Sequence, residues 1–249
     1  MEMSIGKKKS RSAWIFNLDN RLQFLASNSN MKKTEDVNRL DGIVYINLDH
    51  RIERKKKILR EIERLQLDVT EIVRVPAIHT PMNGRKGCLL SHIAALKIAQ
   101  EKQWKQVLIL EDDCVFSDDV RKVHRALIRF WNAFGENWDV FLLGGKFIES
   151  EVNAASFLHV IHSLRAHAYI VNQHYYAPLQ ACYEQGYKEM EKDVFVVQSF
   201  GKSLDVIWRV LQKKGRWYGM QESVAEQHDG YSDIVHRCVH RKEDLFNAP

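Results

Sequence analysis

An α/β fold built on a mostly parallel central sheet is predicted by three features of the sequence. Short β-branched runs alternate with stretches of helical period, the order β-α-β-α-β runs from Ile43 to Leu110, and carboxylates gather where the third strand ends. At 249 residues and 45% hydrophobic content the chain can fill the core of one large domain. Collagen-like, low-complexity and wholly disordered readings are thereby set aside.

Residues 1–40 are polar and weakly periodic, carrying "KKKSR" and "SNSNMKKTED", and read as an N-terminal extension. Within it "IFNLDNR" echoes "YINLDHR" further on, but two short runs are too few for a structural repeat. The predicted domain spans 41–240, followed by a tail at 241–249. Its first strand is "IVYINL". "HRIERKKKILREIERLQL" follows as a helix with Ile58, Leu59, Ile62 and Leu65 on one face. "EIVRVPA" is a strand, "GCLLSHIAALKIAQEKQ" a helix with Leu89, Ile93 and Leu96 inward, and "QVLIL" the third strand. Beyond it, Val120, Val123, Leu127, Phe130, Trp131 and Phe134 keep helical spacing after a Ser117 cap, and "WDVFLLGG" forms another strand. The pattern then loosens into "FLHVIHS", "HAYIVN" and "RWYGM" as strands and "QHYYAPLQACYEQG" and "SLDVIWRVLQKKG" as helices, which predicts a mixed C-terminal half.

The net charge of +5, from 37 basic and 32 acidic residues, suits an anionic ligand without demanding one. Lysine runs at 7–9 and 55–57 are too short for a nucleic-acid surface, so no nucleic-acid partner is expected. Peripheral membrane contact through the basic arm stays open. The sequence holds no apolar run long enough to span a bilayer, and its start lacks the apolar core of a signal peptide, so a cytoplasmic location is expected. Cys88, Cys114, Cys182 and Cys238 form no CxxC pair and read as reduced thiols. In "HRCVH", His236, Cys238 and His240 alternate and could converge on zinc, but no fourth ligand is evident and a polar tail is favoured.

The run "VLILEDDCVF" ends on Glu111, Asp112 and Asp113. Three adjacent carboxylates repel one another, so they sit in water or hold a cation. On an extended backbone Glu111 and Asp113 share a side while Asp112 turns away, and such oxygen ligands suit Mn2+ or Mg2+. Spacing alone leaves a solvated turn equally open. The company of the triplet narrows the choice: "INLDHR", "GCLLSH" and "LILEDD" follow in that order, with weaker landmarks at "HAYIVN", "SLDVIW" and "GYSDI".

This succession, from about Ile43 to Ile234, resembles the family 25 glycosyltransferases, which include lipooligosaccharide and collagen hydroxylysine galactosyltransferases. The resemblance implies a GT-A-like, Rossmann-type sheet with helices on both faces, a UDP-sugar donor (UDP-galactose or UDP-glucose) and a divalent cation at a DxD-like motif. Carried over, Asp113 becomes the first metal ligand, with Glu111 as a second, and Glu111 or Asp112 touches the donor. His228 is a candidate to complete the metal shell, against the ordinary reading of a surface histidine.

Asn47 stands at a strand end, with Arg51 and Arg54 beyond it as candidate phosphate contacts or as the start of a basic helix face. Ser91 and His92 are expected to open a helix whose N-H groups favour an anion, unless they are a cap and a packed ring. Gly144 and Gly145 either let a substrate approach the backbone or form a plain turn. The resemblance suggests inversion, which needs a base: Asp205 matches a family acidic position, unless it is only an N-terminal helix charge, with Asp139 in reserve and Asp233 either a further reserve or a residue that shapes the donor or acceptor pocket. One departure is Lys86, where relatives often carry an acid before "GC".

The activity implied is metal-dependent transfer of galactose or glucose to a hydroxyl of a glycan, a lipid-linked oligosaccharide or a collagen-like chain. A catalytically degenerate carbohydrate-binding scaffold and a metal-dependent phosphoryl-transfer domain are the alternatives.

Overall fold

The computed structural model describes residues 39–153, 155, 157–192, 203–232 and 237–239. The extension at 1–38, the tail at 241–249, Asp233, His236 and His240 lie outside the described residues.

An eight-stranded sheet organises the chain, in the order β2-β1-β3-β8-β5-β9-β7-β6. Its strands are β1 (Gly42–Asn47), β2 (Glu71–Pro76), β3 (Gln106–Glu111), β5 (Val140–Leu142), β6 (Lys146–Val152), β7 (Phe157–Leu164), β8 (Ala168–Asn172) and β9 (Trp217–Met220). Parallel pairing of β2 with β1 and β1 with β3 confirms the β-α-β-α-β reading. From there the pairings mix. β8 lies antiparallel between β3 and β5, β9 runs parallel to β5, and β7 is antiparallel to both β9 and β6. Only β8 and β7 therefore oppose the common strand direction. Five strands were not foreseen: β6 at the sheet edge, β10 (Ala225–Gln227), which pairs with β4 (Cys114–Phe116), and β11 (Gly230–Ser232), which pairs with β12 (Arg237–Val239).

The period-two alternation of the central strands feeds two cores, one on each face. Val44, Ile46, Val107 and Ile109 face helices α2 (Gly84–Glu101) and α4 (Tyr176–Lys192). Ile43, Tyr45, Leu108 and Leu110 face α1 (Ile52–Leu65) and α3 (Val120–Phe134). Burying apolar side chains on both faces at about 25 cal/mol per Å² makes this double layer the main source of stability. Two short helices, α5 (Leu204–Ile207) and α6 (Arg209–Gln212), replace the single one expected there.

Two local expectations are corrected. Ile58, Ile62 and Leu65 are buried, but Leu59 is 38% exposed, because the stripe of α1 that meets the sheet is narrower than its apolar composition. The cap of α3 is Asp119, whose carboxylate accepts from the Arg121 N-H, rather than Ser117. No described helix is long and apolar enough to cross a membrane.

Candidate active site

The carboxyl ends of β1, β2 and β3 open onto one cleft, where a twisted sheet of this kind gathers its ligands. Asn47, Ala77, Glu111, Asp112 and Asp113 line it, with His92 from α2 and Gln227 from β10. Glu111 is the last residue of β3, and Asp112 and Asp113 form the turn into β4. The acidic triplet is thus a tight β-turn held between two strands, not a loose solvated loop.

Its three carboxylates have different fates. Asp112 takes the Asn47 amide at 2.7 Å and the Arg54 guanidinium at 3.0 Å, so it ties β1 and α1 to the turn. Burial pushes its carboxyl above the ordinary value, against the pull of Arg54 and Asn47. Glu111 meets the His92 Nε2 at 3.3 Å and accepts from the Gln227 amide at 3.1 Å. Asp113 accepts from the same amide at 3.5 Å to each oxygen, and its carbonyl takes the His228 N-H at 2.7 Å. One neutral amide donor therefore stands between two carboxylates, where a cation would neutralise both. This donor set is hard, oxygen-rich and open to a cleft, and it fits a divalent cation that takes its other ligands from water and phosphate.

Gln227 carries no motif. β10 pairs antiparallel with β4, which sets Gln227 opposite Cys114 and so beside the turn. Gly144 permits this approach: a Cβ there would lie 1.9 Å from the Ala225 carbonyl oxygen. Gly145, the candidate for substrate approach, lines a neighbouring cleft with Arg165, His167, Gln227 and His228.

Arg51 and Arg54 line a second cleft that shares Asp112 and Asp113 and includes Lys57, Arg60 and His228. Arg51 also caps α1, and its carbonyl accepts from the Asn47 amide at 3.2 Å. His228 is exposed and its Nδ1 faces the Asp229 carbonyl.

Ser91 and His92 do not open a helix. α2 starts at Gly84 with Asn83 as its cap, so both side chains lie two turns inside it, where the backbone N-H groups are already bonded. Ser91 is buried, accepting from the Ile78 N-H at 2.9 Å and donating to the Gly87 carbonyl at 2.7 Å. It braces the loop after β2 and lines the cleft. His92 is buried between Tyr169, at 2.7 Å from its Nδ1, and Glu111.

Asp205 begins α5, where it accepts from the Arg165 N-H at 2.8 Å and from the Ser203 hydroxyl. Burial, then the charges of Glu111, Asp205 and Asp113, raise the Cys88 thiol well above its ordinary pKa. Asp139 is not brought to the cleft. It precedes β5, and its carbonyl bonds the N-H of Asn172, the residue paired with Gln106 at the opposite end of β3 from Glu111. Its carboxylate is held by the Arg216 N-H at 2.8 Å, the Arg216 Nε at 3.1 Å and the His174 Nε2 at 2.7 Å. It joins β9 to β5 and has no access to a substrate in the cleft.

Comparison with known proteins follows the geometry. Procollagen galactosyltransferases 1-B and 1-A of Xenopus laevis are 29% and 27% identical over 139 residues, or 46% of this chain. The matched stretch spans 23% of the length of each relative. Among solved structures, the galactosyltransferase LgtC in complex with donor and acceptor sugar analogs superposes with a TM-score of 0.41 at 10% identity, covering 84% of this chain and 97% of that one. The glycosyltransferase GlyE of Streptococcus pneumoniae TIGR4 gives 0.40 at 11% identity, covering 73% and 45%. The model of "Glycosyltransferase family 25 (LPS biosynthesis protein)" matches residues 76–200, half of the chain, and takes in both "GCLLSH" and the acidic turn; the protein belongs to that family.

Proposed function

We propose that the protein transfers a hexose from a UDP-sugar to an acceptor hydroxyl, with the turn Glu111-Asp112-Asp113 as the centre of the donor site. The observation that supports this most is the division of labour within the turn. Asp112 is committed to Asn47 and Arg54, while Asp113 and Glu111 share a single amide donor at the mouth of a cleft.

Asp113 is the carboxylate we assign to a Mn2+ or Mg2+ ion, with Glu111 beside it. When bound, such a cation neutralises the charge that develops on departing UDP. Arg54, steadied by Asp112, and Arg51 provide fixed positive charge on the side of the second cleft and orient the diphosphate. Asn47 holds this arrangement from below. Asp205 is the candidate base: its carboxylate is anchored by the Arg165 N-H and the Ser203 hydroxyl, and an anchored carboxylate can accept a proton from a sugar or hydroxylysine hydroxyl. The donor hexose is galactose or glucose. The acceptor classes are a glycan, a lipid-linked oligosaccharide and a collagen-like chain, the last suggested by the names of the Xenopus relatives.

Turnover of UDP-galactose and UDP-glucose against a panel of these acceptors, with and without Mn2+, tests the proposal. Metal-dependent release of UDP is expected in the wild type, and its loss by at least about 100-fold in Asp113→Ala, the size seen when one stabiliser of transition-state charge is removed. Turnover that survives this substitution removes Asp113 from the donor site. Donor binding without transfer to any acceptor identifies a degenerate scaffold instead.

A further inference from the structure

Behind the acidic turn lies a second set of ligand atoms of a different chemical kind. Cys88 and His92 stand four residues apart on α2, which puts them on one helix face, and Glu111 reaches them from the end of β3. The sulfur, an imidazole nitrogen and a carboxylate oxygen all lie within 4.8 Å of one another. The Glu111 Oε1 is 3.3 Å from the His92 Nε2 and 3.9 Å from the Cys88 sulfur. A tetrahedral ion with Zn-S of about 2.3 Å and Zn-N and Zn-O of about 2.0 Å requires donor separations of about 3.3 Å for N···O and about 3.5 Å for S···O. The first already has that value, and the second needs a shift of a few tenths of an ångström.

We propose that Cys88, His92 and Glu111 form a site for a zinc-class transition metal ion, distinct from the hard-cation position at Asp113. The donor set of one sulfur, one imidazole nitrogen and one carboxylate oxygen selects such an ion over Mg2+ or Mn2+, which prefer all-oxygen shells. Its supports are in place. The Tyr169 hydroxyl lies 2.7 Å from the Nδ1 of His92 and both donates and accepts, so it bonds the ring in either tautomer and keeps Nε2 turned to Glu111. The other carboxylate oxygen of Glu111 is held by the Gln227 amide at 3.1 Å. Cys88, His92 and Glu111 all line the open cleft, which gives an ion a way in and leaves its fourth position to water. On binding, the thiol loses its proton to solvent as the metal-sulfur bond forms, with no change of oxidation state. Because Glu111 also belongs to the acidic turn, the two cation positions share one side chain.

The proposal stands apart from sugar transfer, since it is read without donor or acceptor. Titration of the full chain with Co2+ alone is followed by absorption. One equivalent is expected to give a sulfur-to-cobalt charge-transfer band with visible bands of tetrahedral intensity, and Zn2+ is expected to abolish both. Cys88→Ser should lose the charge-transfer band while its metal-free melting temperature stays near that of the wild type, and Cys238→Ser should keep the band. Absence of the band in the wild type overturns the site. So does a band that survives Cys88→Ser or disappears with Cys238→Ser, which would locate the metal at "HRCVH". If Cys88→Ser fails to fold, Cys238→Ser decides alone, because Cys114 and Cys182 belong to no such ligand cluster among the described residues.

Discussion

An acidic cluster and a lone buried carboxylate sit at opposite ends of the same sheet and have opposite electrostatics. At the carboxyl end of β3, Glu111, Asp112 and Asp113 crowd together with Arg54 as the guanidinium and Gln227 as a neutral donor, and burial leaves Asp112 with a raised pKa. At the amino end of β5, a single carboxylate, Asp139, is met by Arg216 and His174. Burial alone would raise it, but hydrogen bonds from the Arg216 side chain and N-H and from His174 outweigh that and leave it below the ordinary value. A carboxylate saturated by cations holds strands together. Carboxylates crowded at the mouth of a cleft favour water or a cation beside them, and that is the condition of a binding site.

The largest expected effect separates the two regions directly. Asp139→Ala removes the acceptor of the Arg216 N-H, of the half-exposed Arg216 guanidinium and of His174, and is expected to lower stability by about 2 kcal/mol. Asp113→Ala should change stability less, by about 0.5 kcal/mol, because its side chain is half-exposed. Urea unfolding of both variants measures this, and equal losses would erase the distinction.

Next in size is Arg54→Ala, which is expected to weaken UDP-sugar binding by roughly tenfold, about 1.4 kcal/mol, through loss of one fixed cation beside the turn. Isothermal titration with UDP checks it. An unchanged affinity would reduce Arg54 to a brace for Asp112.

The pH dependence sharpens the comparison by sign. Asp139 has a lowered folded pKa, so its contribution is fully present above the ordinary value of 3.8 and is lost as pH falls through the folded value. Asp112 has a raised folded pKa, so its contribution is full below 3.8 and is lost as pH rises through the folded value. Melting temperatures across pH should show Asp139→Asn flattening the acid limb and Asp112→Asn removing a loss of stability that the wild type suffers as pH rises above 3.8. The same slope in both variants would contradict these shifts.

The smallest effect is expected from Gln227→Ala. Removing the donor shared by Glu111 and Asp113 should cost about 1 kcal/mol in metal-free protein, and added Mn2+ should restore part of it. Melting curves with and without Mn2+ measure both.

Much of this architecture was legible as local pattern. The alternation in "IVYINL" and "QVLIL" and the helical period of "GCLLSHIAALKIAQ" depend on neighbours a few residues apart, and the strand-end position of the triplet followed from them. Ser91 and His92 were placed wrongly because the helix start was read at "GC", whereas Asn83 and Gly84 set it earlier. Asp139 looked like a free carboxylate because Arg216 lies 77 residues away in sequence. Gln227 gave no signal at all, since its role comes from a strand pairing and not from its chemistry.

The sequence by itself determined the strands β1, β2 and β3 and the helices α1, α2 and α3, that both faces of the sheet are buried, and that three carboxylates end a buried strand, because hydrophobic period and residue type are local properties of the chain. Only the tertiary structure decided which carboxylates are neutralised and which face a cleft, and which ligands meet at Cys88, His92 and Glu111. Electrostatic partnership depends on distance in space, and the chain brings those partners together only when β4 meets β10 and β5 meets β9.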